Sequence, residues 1–260
     1  MKIVRFKASG KTRYGVLEGT RVVEYSGTPF GTFKRGRKKF PLKQVVLLAP
    51  VVPSKIVAVG LNYRDHAQEV NAPIPEEPIL FLKPPTALIG PDDPIVHPSI
   101  SQRVDYEAEL GIVIKKRCRN VPPERAREYV LGYTCLNDVT ARDLQRKDGH
   151  STRAKAFDTF CPVGPCIATD IDPNSVDIEA YLNGERKQAS STKHFIFPVE
   201  DIVARISQVM TLLPGDLIAT GTPSGIGPMQ PGDKIEVRIE GIGSLKNSVV
   251  RLYCPNRPSA

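Results

Sequence analysis

Glu107 and Glu109 sit two positions apart in an alternating stretch, residues 104–114. Val104, Tyr106, Ala108, Leu110 and Ile112 fall on one face of it, and Asp105, Glu107 and Glu109 on the other. On a strand the two glutamates share a side with Cα atoms about 6.5–7 Å apart. Carboxylates that close repel each other unless a cation or a proton lies between them. The same pattern also describes a strand face turned to water. Asp138 follows a strand-like run at 131–137 and precedes a helix expected over 141–147, so it is either a third converging carboxylate or that helix's N-cap. Three carboxylates would suit Mg²⁺ or Mn²⁺, with Ca²⁺ in their place, and would leave coordination positions for water and a bidentate ligand. Histidine and cysteine ligands are not required, in keeping with a chain that has four histidines.

His66 and Glu69 are three residues apart, a spacing that lets their side chains meet on one helical turn. A carboxylate beside an imidazole orients its tautomer and strengthens it as a general base; a surface ion pair is the plainer reading. Lys155 could balance the acids, hold a substrate carboxylate or simply face solvent. Residues 221–227 are glycine-rich, yet lack the lysine of a phosphate loop, so they read as a tight turn offering backbone donors and the Thr222 hydroxyl.

The elements that must position these groups are mostly strands. Short alternating stretches at 3–6, 13–17 and 21–25, separated by Gly10 and Gly19, predict an antiparallel meander. Pro50 and Pro53 suggest a junction, dividing the chain into a small N-terminal β domain (1–52) and a catalytic domain (53–260). Residues 56–60 read as a buried strand. Residues 61–78, with Pro73, Pro75 and Pro78, read as a lid with one or two helical turns and little apolar anchoring. A short helix is expected from Pro122 to about 130. The best amphipathic helix spans 199–213, with Ile202, Val203, Ile206, Val209, Met210 and Leu213 on one face. Strands alternate with turns and not with long helices, which indicates a mainly β, α+β body in place of a doubly wound sheet.

Composition removes several classes. No apolar run approaches the roughly 20 residues that span a bilayer, and the first residues alternate as a strand does, so a cytoplasmic protein is expected. Five cysteines without a C-x-x-C pair indicate neither a disulfide framework nor a zinc site. The net charge of +8 suggests nucleic acid, but residues 1–50 hold twelve of the 36 basic and two of the 28 acidic residues. The remaining 210 residues therefore carry −2 and are not a polyanion-binding body. Lys34, Arg35, Arg37, Lys38, Lys39 and Lys43 supply half of that N-terminal basic content and read as a solvated loop, with steering of an anionic ligand or partner as the alternative.

Taken in order, these features are similar to the fumarylacetoacetate hydrolase family. The resemblance runs from about residue 55 to 250. It rests on Gly60-Leu61-Asn62-Tyr63 with His66 and Glu69, Phe81-Leu82-Lys83-Pro84, Asp105-Tyr106-Glu107-Ala108-Glu109-Leu110, and Gly132-Tyr133-Thr134. It continues through Asn137-Asp138-Val139-Thr140-Ala141-Arg142-Asp143, Lys155 before Phe157-Asp158, and Gly221-Thr222-Pro223 with Gly225 and Gly227. The resemblance implies a β-roll catalytic domain that dimerises. It implies Glu107, Glu109 and Asp138 as ligands of Mg²⁺ or Mn²⁺, His66 and Glu69 as a lid dyad, Lys155 beside the metal, and Arg142, Gln145 and Thr222 as substrate contacts.

A 2-oxo acid could chelate such an ion through its carboxylate and neighbouring oxygen, and the ion could stabilise the enolate formed at the adjacent carbon. Hydrolytic C–C cleavage of an acylpyruvate is the preferred reaction on this reading. Isomerisation, tautomerisation or decarboxylation of 2-oxo or 2-hydroxy-dienoic diacids shares the intermediate and is the alternative.

Overall fold

The computed structural model describes residues 1–251. Four antiparallel strands, Lys2–Ala8, Lys11–Glu18, Arg21–Gly27 and Phe33–Pro41, form the expected meander with one strand more than the alternation suggested. Its first turn is two residues long, with Ser9 and Gly10 both at positive φ (48° and 75°), the backbone that suits a right-twisted hairpin. The basic run is not a loop. Residues 34–39 lie on the strand Phe33–Pro41 at the end of the sheet, where exposed Lys38 and Lys39 discourage another chain from pairing with the open edge, and Lys43 follows on the 3₁₀ helix Leu42–Gln44.

Lys2–Ala8 pairs in turn with Cys161–Ala168, so the meander continues into one large sheet. Beyond it come Val130–Asn137, Ala108–Ile114, Leu217–Ala219, Ile56–Gly60 and the edge strand Ile79–Lys83. Phe6 and Val22 from the first 52 residues share a buried cluster with Ile112, Tyr133 and Ile206. A five-stranded sheet, built around Asp177–Leu182 and Lys234–Ile239, and a three-stranded sheet of Thr140–Ala141, Val104–Tyr106 and Gly227–Met229 complete the β-rich body.

The stretch 104–114 is not one strand. It breaks at Glu107, with Val104–Tyr106 in the three-stranded sheet and Ala108–Ile114 in the large one. The break is held by an exchange at Glu107, whose N–H donates to Asn137 Oδ1 (2.9 Å) and whose carbonyl accepts from the Asp138 N–H (2.9 Å). Both faces are covered, so Asp105, Glu107 and Glu109 are buried along with their apolar neighbours.

The helices are short. Pro123–Tyr129 is a 3₁₀ helix and not an α-helix. Val199–Val209 ends four residues before the expected end, because Leu212 leaves to exchange backbone hydrogen bonds with Cys118. Its buried face is Ile202, Val203 and Ile206, each contributing about 1.5–3 kcal/mol by leaving water, while Val209 and Leu213 are exposed. Cys118, Cys135, Cys161 and Cys166 are buried free thiols, and Cys254 lies outside the described residues. Among the described residues no helix is long and apolar enough to cross a membrane.

Candidate active site

The break at Glu107 brings Glu107, Glu109 and Asp138 together: one carboxylate oxygen from each lies within 4.8 Å of the others, and all three residues are buried. Asp138 does not cap the following helix, Arg142–Asp148, which starts after Ala141 without a side-chain cap. These acids line a cavity of about 120 Å³ together with His66, Arg142, Gln145, Lys155 and Thr222. Of the nine residues singled out in the sequence, only Glu69 lies off this wall; it lines an adjoining groove that shares Arg142 and Gln145.

Cations are interleaved with the acids. Lys155 Nζ donates to Glu107 Oε2 (2.8 Å) and Asp138 Oδ2 (2.5 Å). Lys155 is therefore buried between two carboxylates and not solvated, and it lies 5.0 Å from the Phe81 ring centroid. Lys83 Nζ donates to the other Asp138 oxygen, Oδ1, at 2.5 Å and to the Val139 carbonyl at 3.3 Å. Lys83, with 1% of its surface exposed, has no assigned role in the sequence reading. The signal was its strand register, since Lys83 and Phe81 share a face of Ile79–Lys83. Arg142 is divided between Glu107, Asp105 (3.0 Å) and Gln145 Oε1 (2.6 Å).

Burial alone would raise the Glu107 carboxyl, but the charges of Lys155 and Arg142 outweigh it and hold the group well below the usual range. Burial would likewise lower Lys155, yet Asp138 and Glu107 keep it an ammonium, above its ordinary value. Glu109 differs. Burial and the negative charges of Asp138 and Glu107 push it well above the usual range. Its one hydrogen bond among the described residues comes from the Gly221 N–H to Oε2 (2.7 Å). Gly221 has φ 92°, and a Cβ there would stand 2.8 Å from that of Asn62, so only glycine brings this amide so close.

This charge arrangement fits a divalent cation. Lys83 and Lys155 pair with Asp138 and Glu107, and Arg142 pairs with Glu107 and with Asp105, which Arg103 also holds, so among the described residues no cation is paired with Glu109. A divalent ion among the three carboxylates would supply the positive charge that Glu109 lacks.

The segment expected to form a lid begins at Leu61, whose φ of 55° is a strained conformation for a branched side chain, and carries the helix Arg64–Glu69. His66 Nδ1 meets Glu69 Oε2 at 2.8 Å, as the spacing predicts. Contrary to expectation, the first half of the lid is well anchored. Tyr63 is fully buried against Phe195, and Asn62 bonds the backbone of Phe197 and Thr220. Asp65 Oδ2 accepts from Ser190 and Ser224, and Glu69 Oε1 accepts from the Gly225 N–H (2.8 Å).

A strand-built body that gathers buried acids, lysines and a histidine around one small cavity has the make-up of an enzyme active site. The fumarylacetoacetate (FAA) hydrolase C-terminal family model matches residues 55–250, and the Rv2993c-like N-terminal model matches residues 1–50. The chain belongs to the fumarylacetoacetate hydrolase family. It is 45% identical to a 2-hydroxyhepta-2,4-diene-1,7-dioate isomerase from Mycobacterium marinum, with TM-score 0.91 over 96% of this chain and 98% of that one. A mitochondrial oxaloacetate tautomerase of Rattus norvegicus is 41% identical over 222 residues, covering 81% of this chain and 71% of the relative. A maleylpyruvate hydrolase from Sphingobium sp. SYK-6, solved with manganese(II) and pyruvate, is 33% identical with TM-score 0.82, over 97% and 100% of the two chains.

Proposed function

We propose that the protein is a Mg²⁺- or Mn²⁺-dependent enzyme that enolises a small 2-oxo dicarboxylic acid, working as a tautomerase or isomerase. The observation that carries this reading is Glu109: a buried carboxylate, beside two others, that has no cation of its own among the described residues. Glu107, Glu109 and Asp138 would hold the ion, which when bound supplies electrophilic stabilisation of negative charge on the 2-oxo oxygen.

The remaining roles belong to the chain. Lys155 and Lys83 stay close to the acids as fixed positive charges, and Lys155, held as an ammonium, serves as a charge balancer and not as a base. With Nδ1 of His66 engaged by Glu69, Nε2 is the nitrogen left to exchange a proton with substrate. It would take the proton from the carbon next to the 2-oxo group and return it to the oxygen or to another carbon, so that nothing is consumed. Past Arg142 and Gln145 the cavity adjoins a groove of about 500 Å³ that includes Arg103 and Arg146. Arg146 is exposed and has no carboxylate partner among the described residues, which suits the far carboxylate of a diacid.

The test is keto–enol exchange of oxaloacetate, followed by loss of enol absorbance, with Mn²⁺ and after chelation. Acceleration that needs the ion is expected; no acceleration by the Mn²⁺-loaded protein would reject the assignment. Hydrolysis of an acylpyruvate is the second reading, favoured by the same dyad, which could instead take the proton from an attacking water. Decarboxylation of the same acids would share the enolate.

A further inference from the structure

Gln188, on the strand Glu185–Ser191 of the five-stranded sheet, reaches into the site from behind and is almost wholly buried. Its amide orientation is forced by what surrounds it. Oε1 lies 3.0 Å from the Ala108 N–H, which can only donate, and Nε2 lies 2.8 Å from the Pro223 carbonyl, which can only accept. Turning the amide over would set donor against donor and acceptor against acceptor, so the assignment does not depend on telling oxygen from nitrogen.

The consequence falls on Thr222. Gln188 Nε2 also donates to Thr222 Oγ1 at 2.9 Å, with a longer approach of 3.4 Å to the Ser224 carbonyl. The Thr222 hydroxyl thus receives a hydrogen bond, and among the described residues it donates none. It is buried yet lines the cavity, so its own hydrogen is left for whatever occupies that space. We infer that Gln188 is a positioning residue that makes Thr222 a dedicated hydrogen-bond donor toward an anionic oxygen of the bound ligand. The Ala108 N–H, on the oxygen side of the amide, fixes which way Nε2 points and so keeps it aimed at the 222–224 loop.

The inference rests on the metal and 2-oxo acid reading above, and calorimetry separates the two. Mn²⁺ is titrated first into the full-length protein, then oxalate, a chelating dianion, into the Mn²⁺-loaded form. Thr222→Val should weaken oxalate about tenfold, near the low end for a hydrogen bond to a charged group, while Thr222→Ser keeps it. Gln188→Met should cost a similar factor without changing Mn²⁺ affinity. The double variant Gln188→Met/Thr222→Val should bind no more weakly than Thr222→Val alone, because the amide acts only through the hydroxyl. Multiplying effects would mean that Gln188 works by another route and would overturn the inference. So would unchanged oxalate binding by Thr222→Val, a result that stands even if Gln188→Met fails to fold. Oxalate binding unaffected in these variants, alongside normal Mn²⁺ binding, leaves the metal reading intact. No Mn²⁺ binding by the native protein would remove both.

Discussion

Lys155 Nζ lies 2.8 Å from Glu107 and 2.5 Å from Asp138, so a single buried ammonium bridges two of the three clustered carboxylates, and Glu109 is left without a cation among the described residues. Lys83 takes the remaining oxygen of Asp138. Removing one member of such a buried pair leaves an uncompensated charge, which typically costs about 3–5 kcal/mol. Lys83→Met should therefore lower the stability of the ion-free protein by that order, and Mn²⁺ should restore part of the loss by supplying the missing charge. Denaturant unfolding with EDTA and with Mn²⁺ checks both parts; equal destabilisation in the two conditions would argue against an ion beside Asp138.

Glu109 gives a pH signature. Burial and the charges of Asp138 and Glu107 raise its carboxyl, so the folded chain binds that proton more tightly than the unfolded chain does. Its contribution to ion-free stability is then present at low pH and is lost as pH rises from the ordinary glutamate range toward the raised value. Glu107, held low after its positive neighbours outweigh burial, acts in the opposite direction, and its contribution disappears as pH falls below the ordinary range. Glu109→Gln should remove the alkaline loss and make the ion-free variant more stable than the native chain above neutral pH. Urea midpoints in EDTA across pH would show it, and parallel curves for the two proteins would contradict it.

The same substitution should have the reverse effect once metal is present. Native Mn²⁺ affinity should rise with pH as the ion displaces the Glu109 proton, whereas Glu109→Gln should bind Mn²⁺ weakly, lose activity and keep its fold. Calorimetry at two pH values and circular dichroism make the comparison. Unchanged affinity in the variant would take Glu109 out of the ligand set.

What could be read in the sequence is what short-range periodicity encodes. The two-residue spacing of Glu107 and Glu109 and the three-residue spacing of His66 and Glu69 each placed a pair on one side of a local element, and the structure keeps both pairings. Partners distant in sequence were not visible: Lys83 is 55 residues from Asp138, and Gln188 is 80 from Ala108. Nor could alternation reveal that the chain changes sheets at Glu107, because a strand exchanged between two sheets reads the same as a continuous one. The density of charge over 34–39 suits a solvated loop, but an edge strand meets water equally well and the sequence does not tell them apart.

The groove outside the cavity offers a test of substrate class. Arg103 and Arg142 are each committed to Asp105, whereas Arg146 has no acidic partner among the described residues. If it receives the far carboxylate of a diacid, Arg146→Ala should raise KM for oxaloacetate about three- to fivefold, the scale of a solvent-exposed ion pair. The KM for a 2-oxo monoacid should not move. An equal change for both substrates would place Arg146 outside the recognition site.

The His66–Glu69 pair decides between proton shuttling and water activation. Glu69 is fastened at both oxygens, to His66 Nδ1 and to the Gly225 N–H, so it can orient the imidazole while holding the lid helix against the 221–227 loop. His66→Ala should leave Mn²⁺ affinity nearly unchanged and slow the reaction about 10²–10⁴-fold, the usual weight of a general base. Glu69→Gln still offers an oxygen to one partner but gives up the other, so the imidazole is less firmly oriented and the loss should be smaller than that of His66→Ala. Measuring enolisation of oxaloacetate and cleavage of an acylpyruvate on the same two variants separates the reactions. A drop in both rates would make the dyad the shared proton carrier. If only cleavage falls, its task is to activate water, and enolisation must then draw its base from elsewhere. Full activity of His66→Ala in both assays would reduce the pair to a clasp on the lid.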